Sequence, residues 1–107
     1  MVENKEMKIG SGRKRVDGVV SKVYGYAPRA GRSLAELLKE NTEVKVSSMG
    51  GSAASEMVKA IAHAQKFLKE EGKNLVATDF AFETVSVTST DEKQMPSKVI
   101  TVLVKLV

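Results

Sequence analysis

Residues 43–72 read EVKVSSMGGSAASEMVKAIAHAQKFLKEEG, and this stretch decides the fold class. Glu43-Val44-Lys45-Val46 alternates charged and apolar side chains with the period of two of a strand that buries one face. From Ser52 to Glu71 the period changes. Ala54, Met57, Val58, Ile61, Ala64, Gln65 and Leu68 recur at steps of three and four, which predicts a helix with one apolar stripe. Glu56, Lys59, His63, Lys66 and Glu70 fall on its other side. Ser52 suits the start, with Glu56 one residue late for a capping box, and Gly72 suits the end. A helix of that span is about 30 Å long and needs a sheet to cover.

Working outward, Leu34, Leu37 and Leu38, with Ala30 one turn earlier, predict a shorter helix over about Arg29–Glu40, with Pro28 at its start and Asn41 at its end. Leu75–Thr88 is rich in β-branched and aromatic residues and reads as a strand. Its apolar parity runs through Val76, Phe80 and Phe82 and then moves to Val85 and Val87, which implies a bulge or a strand leaving the core as an arm. Thr88–Lys98, with Pro96, reads as a polar connection. Val99–Val107 carries apolar residues on both faces, so it is central in the sheet or covered by a partner. Val19–Tyr26 is the preferred first strand, with Met7–Gly10 the contender. The order βαβαββ makes an α/β (α+β) sandwich, two helices on one face of a mixed four-stranded sheet. Residues 1–18 then form an N-terminal extension to a domain spanning 19–107.

The chain has 107 residues, 42% apolar and 28% charged, which fits one globular domain. Lacking cysteine, it has no disulfide scaffold, thiolate zinc site or cysteine nucleophile. No apolar run approaches the ~20 residues that span a bilayer, and Met1–Glu6 lacks the apolar core of a signal peptide, so a cytoplasmic, membrane-free protein is expected. Charge is unevenly placed. Residues 1–32 hold eight bases and three acids, a net +5, whereas residues 33–107 hold nine bases and ten acids, a net −1. A basic segment on a neutral body suits an anionic partner or serves as a solvated tail.

Gly25–Ser33 (GYAPRAGRS) imitates a phosphate loop, but its glycine spacing is one residue too long and Arg32 stands in the lysine position. It reads as a turn into a helix. Met49-Gly50-Gly51-Ser52 leads a strand into the long helix, where backbone N–H groups and the helix dipole favour an anion, or where the turn simply needs positive φ. His63 is the single histidine, so neither a histidine metal cluster nor a Ser/His/Asp triad offers a second one. Asp79 and Glu83 stand about 13 Å apart on an extended strand, too far for a glycosidase pair. No catalytic group, metal or cofactor is expected. Arg13-Lys14-Arg15 is the densest basic cluster, suited to phosphates, and Tyr24 and Tyr26 are candidates to stack on bases or to pack at a sheet edge.

Glu43–Val46, the turn at Gly50, Ala53 and the run Val58-Lys59-Ala60-Ile61-Ala62-His63-Ala64 resemble the stage V sporulation protein S family. Ala35–Leu38 and Phe80–Phe82 fall where that family has its first helix and third strand, so the resemblance covers about residues 24–107. That family is similar to the Alba-like nucleic-acid binders, which implies the Alba fold, a homodimer or higher homo-oligomer, and a role with DNA or RNA. Carried over, the first loop gives Arg29 and Arg32, and the glycine turn gives Gly50 and Ser52 where Alba proteins carry arginine. The arm gives Lys93 and Lys98, offset by Asp91 and Glu92. The expected function is therefore non-enzymatic nucleic-acid binding through Arg13, Lys14, Arg15, Lys22, Arg29, Arg32, Gly50, Gly51, Lys93 and Lys98. A developmental module acting through protein contacts is the alternative, motivated by the two-faced strand Val99–Val107.

Overall fold

The computed structural model describes residues 5–88 and 94–107. Its elements are β1 (Lys5–Ile9), β2 (Arg13–Val16), β3 (Val19–Lys22), α1 (Tyr26–Glu40), β4 (Glu43–Met49), α2 (Gly51–Glu70), β5 (Leu75–Thr88) and β6 (Gln94–Leu106). The period-two alternation continues through the whole of β4, burying Val44, Val46 and Ser48. In the four-stranded sheet the order is β1-β4-β6-β5; β1 runs parallel to β4 and the other pairs are antiparallel. Both helices cover one face of this sheet. Leu34 and Leu38 of α1 and Met57 and Leu68 of α2 close over Val44, Val46, Val102 and Val104, all of them buried. Each large aliphatic side chain fully removed from water there stabilises the fold by about 1.5–3 kcal/mol.

The helix ends follow from local chemistry. Asn41 closes α1, its backbone N–H and its side-chain Nδ2 both donating to the Leu37 carbonyl, at 2.9 and 2.8 Å. After α2, Gly72 donates to Lys69 and Lys73 to Leu68, the paired bonds of a Schellman cap. Gln65 Oε1 accepts the Leu75 N–H at 2.7 Å and ties α2 to the first residue of β5.

Several expectations change. The first strand of the sheet is Lys5–Ile9, close to the contender Met7–Gly10, and not Val19–Tyr26. Only Met7 and Ile9 of β1 pack on the core, so an edge strand rich in Lys and Glu gave a weak apolar signal. The boundary placed at residue 18 therefore falls after a strand of the same sheet. Val19–Lys22 is a strand, but it pairs with Arg13–Val16 in a separate two-stranded ribbon. Helix α1 starts three residues earlier than Arg29, because Gly25 takes a left-handed turn and accepts the Arg29 N–H. The buried face of α2 is rotated from the expected stripe: Ala53, Glu56 and Ala60 are buried and Val58 is exposed. That face meets α1 as well as the sheet, which periodicity alone does not register. Pro96, expected in a connection, lies within β6 opposite Ser86, beyond the last β4–β6 pair at Met49 and Val99, where β6 has one described neighbour.

A bulge does interrupt Leu75–Thr88, but upstream of the expected change between Phe82 and Val85, and from Ala81 to Thr88 the register is unbroken. Thr78 pairs with Leu103 and Ala81 with Thr101, so Asp79 and Phe80 together oppose Val102, with Asp79 at φ 57°. Phe82 thereby moves to the parity of Ile100, on the helix-covered side of the sheet. Phe80 and Phe82 are 64% and 70% exposed. Strand β6, apolar on both faces, is central, between β4 and β5.

The two helices touch most closely at Gly31. A β-carbon there would stand 2.6 Å from His63 Cβ and 2.7 Å from the Ala60 carbonyl oxygen. Gly31→Ala is expected to lower unfolding free energy by about 1–3 kcal/mol in a denaturant titration, because overpacking forces the helices apart. Gly51→Ala, where nothing lies within 4 Å, is the control and leaves the midpoint unchanged or slightly raised.

Candidate nucleic-acid interface

The basic N-terminal segment is ordered into a hairpin by two residues. Asp17 and Gly18 both adopt positive φ, 52° and 78°, between Val16 and Val19, which pair directly. That is a type I′ turn, whose twist matches the two strands and which Asp-Gly adopts readily. At the base of the hairpin the Val23 N–H donates to Gly12 at 2.7 Å, and the Gly10 N–H donates to the Tyr26 hydroxyl at 2.6 Å. Gly12 is buried against the Tyr26 ring and the Glu56 side chain. The ribbon is thus anchored to the first turns of both helices while all of Arg13–Lys22 is solvent-exposed.

Register sorts its cations. Arg13 stands opposite Lys22, and Arg15 opposite Val20, so Arg13, Arg15 and Lys22 share one face. Lys14, opposite Ser21, is on the other. The N-terminus of α2 lies beside the base of the ribbon. Its first helical bond is Ala54 N–H to the Gly50 carbonyl, and no side chain caps it, so the N–H groups of Gly51, Ser52 and Ala53 have no intrahelical acceptor. Between the two runs a cleft of about 370 Å³ lined by Ser11, Arg13, Lys22, Gly51, Ser52, Ser55, Glu56 and Lys59. Three cations, three hydroxyls and a helix N-terminus face this space, with one carboxylate, Glu56, held 3.7 Å from Lys59 Nζ.

The expected site residues separate into groups. Arg13, Lys22 and Gly51 come together in the cleft; Gly50 is the residue before α2, and Lys14 and Arg15 extend outward along the hairpin. Arg29 donates through Nη2 to the Tyr24 carbonyl at 3.0 Å, which braces the turn before α1. Arg32 lies 4.9 Å from the centre of the Phe67 ring, in a second cleft with Glu36, Glu70 and Glu71. There the Lys39 ammonium donates to Glu71 and holds its carboxyl below the ordinary value. This acid-rich corner is a separate place. Lys98 sits 5.6 Å from the Phe82 ring on the β5–β6 arm. Lys93, with Asp91 and Glu92, lies outside the described residues. The two tyrosines are not on one strand: Tyr24 is 89% exposed in the turn, whereas Tyr26 opens α1 with its hydroxyl engaged. Lys59 had no local sequence signal, since only the fold brings it to Arg13 and Lys22. The Asp17-Gly18 dipeptide was a signal that the surrounding charges obscured.

Residues 28–104 match the family model of stage V sporulation protein S. The chain belongs to the stage V sporulation protein S family. The family match begins within α1, so β1 and the β2–β3 hairpin precede it. Among solved structures, Alba from Thermoplasma volcanium superposes with a TM-score of 0.59 at 10% identity, covering 92% of this chain and 99% of that one. At that identity the likeness establishes an Alba-like fold for this member of the sporulation protein S family. Comparison with the curated proteins gives no match. Among the described residues, no helix is long and apolar enough to cross a membrane, and no cluster of three or more His, Asp or Glu residues is placed to hold a metal.

Gly18→Val tests the turn. A β-branched residue forced to positive φ costs about 1–2 kcal/mol, borne by the hairpin alone. Amide protection across Arg13–Lys22 is expected to fall while the global denaturation midpoint stays where it was.

Proposed function

We propose that this chain is a non-enzymatic, cytoplasmic nucleic-acid-binding protein that grips phosphates between the β2–β3 hairpin and the N-terminus of α2. The convergence of Arg13 and Lys22 on Lys59 beside uncapped helix N–H groups carries this reading. A phosphate oxygen accepts hydrogen bonds from guanidinium, ammonium and backbone donors alike, and the helix dipole adds to the field. Ser52 and Ser55 supply neutral donors at the same place. Glu56, paired with Lys59 along the same helix, offsets one of the three cations and leaves the cleft net positive. Further along the hairpin, Lys14 and Arg15 extend the same field to neighbouring phosphates.

The Alba-like fold supports this assignment, and the exposed Phe80 and Phe82 support pairing with a second copy of the chain. The alternative, a developmental module acting through protein contacts, rested on a strand apolar on both faces. Strand β6 is central in the strand order, while Val99 and Leu103 lie on the face the helices leave open, and that face is what supports the alternative.

Binding should be dominated by counterion release. With Arg13, Lys14, Arg15, Lys22 and Lys59 on phosphates, log affinity for duplex DNA is expected to fall against log salt with a slope of about −4.5. Replacing Arg13, Lys22 and Lys59 together by glutamate is expected to weaken binding more than a hundredfold and flatten the slope by about 2.7. A triple variant with unchanged mobility shifts at every salt concentration contradicts the assignment. Light scattering of the free protein is expected to return twice the 11.6 kDa of one chain.

A further inference from the structure

We infer that the β2–β3 hairpin is a reading arm for the major groove of B-form duplex DNA, with Val16 and Val19 at the base edges. The inference rests on the phosphate-gripping role of the cleft and goes on to name the substrate. A hairpin that only tracked phosphates would need charge and reach. This one also carries Val16, Val19 and Val20 at its end, 54%, 66% and 51% exposed and outside the hydrophobic core. Three β-branched apolar side chains held in water beside four cations, with one carboxylate, Asp17, in the turn, call for a partner that is anionic at its rim and offers apolar groups and hydrogen-bond donors deeper in. The hairpin lies ahead of residues 28–104, outside the stretch that the family model matches.

Dimensions select the groove. Val16 and Val19 lie three residues beyond Arg13 and Lys22, so they stand about 10 Å beyond the cleft at ~3.4 Å per residue. The major groove of B-DNA is about 8.5 Å deep, so with a backbone phosphate in the cleft the tip reaches the base edges. Two strands about 4.8 Å apart, with side chains on both faces, match a groove about 12 Å wide and exceed the ~6 Å of the minor groove. A-form RNA presents a major groove too narrow for such a ribbon, and a single strand presents none. At the floor of the DNA groove the thymine methyl is the apolar group that a valine can meet. Arg13 and Lys22 at the base, with Lys14 and Arg15 on opposite faces, then lie toward the flanking phosphate walls.

The experiment compares the full-length protein on one thymine-rich sequence prepared as duplex DNA, duplex RNA and single-stranded DNA, and on the same duplex DNA with deoxyuridine replacing thymidine. Anionic phospholipid vesicles form the last arm. Wild-type protein is expected to prefer the thymidine duplex by about tenfold over each other nucleic acid. Val16→Ser combined with Val19→Ser keeps the charge and removes the methyl groups; it is expected to erase that preference without changing affinity for duplex RNA or single strands. Amide exchange over Arg13–Lys22 verifies that the variant hairpin is formed. Equal wild-type binding to all nucleic acids, or an unchanged preference in the formed double variant, overturns groove reading while leaving the phosphate cleft standing. Binding to none of the nucleic acids overturns both readings. Vesicle binding in place of DNA binding makes the valine tip a membrane device and overturns both as well.

Discussion

A β-carbon on Gly31 would meet the His63 side chain and the Ala60 carbonyl of the facing helix at less than 3 Å, and the arrangement of the domain depends on that missing carbon. With hydrogen alone at this point, α1 and α2 approach backbone to backbone, Ala60 and Ala64 are fully buried, and both helices lie flat on one side of the sheet. Leu34, Leu38, Met57 and Leu68 can then share the same valine floor on β4 and β6. Their common burial carries the stability of the fold, because the sheet has only two central strands to offer.

The same contact sets the end of the molecule that carries the cleft. Once α1 is seated on α2, Tyr26 at its first turn comes beside Gly10 and Gly12, and its hydroxyl receives the Gly10 N–H. The hairpin that follows Gly12 therefore leaves the domain next to the first turns of α2. Glu56, buried beneath Gly12 and within reach of Lys59, completes the junction. Cations from a local hairpin and from the middle of a helix thus come to one cleft, although neither segment specifies the other.

What the sequence revealed follows the range of the interactions. Helix α2, strand β4 and helix α1 were legible, because each repeats an apolar pattern over several residues; a bulge in β5 was expected too, but it lies nearer the start of the strand, at Asp79 and Phe80. Strand β1 was nearly invisible: Lys5, Glu6 and Lys8 surround two buried side chains on an edge, and the more β-branched Val19–Tyr26 competed for the role. The burial of Glu56 and exposure of Val58 were hidden for a related reason, since α2 has two covered sides and a single-stripe reading finds one. Of the proposed site, the charge asymmetry pointed to the segment that forms the hairpin, and the strand-to-helix turn to the helix end that lies beside it. Their proximity, and the place of Lys59, are products of tertiary packing. Arg29 and Arg32 illustrate the converse, being basic residues whose chemistry goes to a turn carbonyl and an aromatic ring.

The central claim is that one surface, made by the hairpin and the start of α2, receives the nucleic acid. Hydrogen–deuterium exchange of the full-length protein with and without saturating duplex DNA reads that surface directly. The account expects added protection confined to residues 11–23 and 50–59, with no change along Glu36–Lys39 and Phe67–Glu71. Protection concentrated at that acidic corner or along the outer face of the sheet, with the hairpin unaffected, would contradict it.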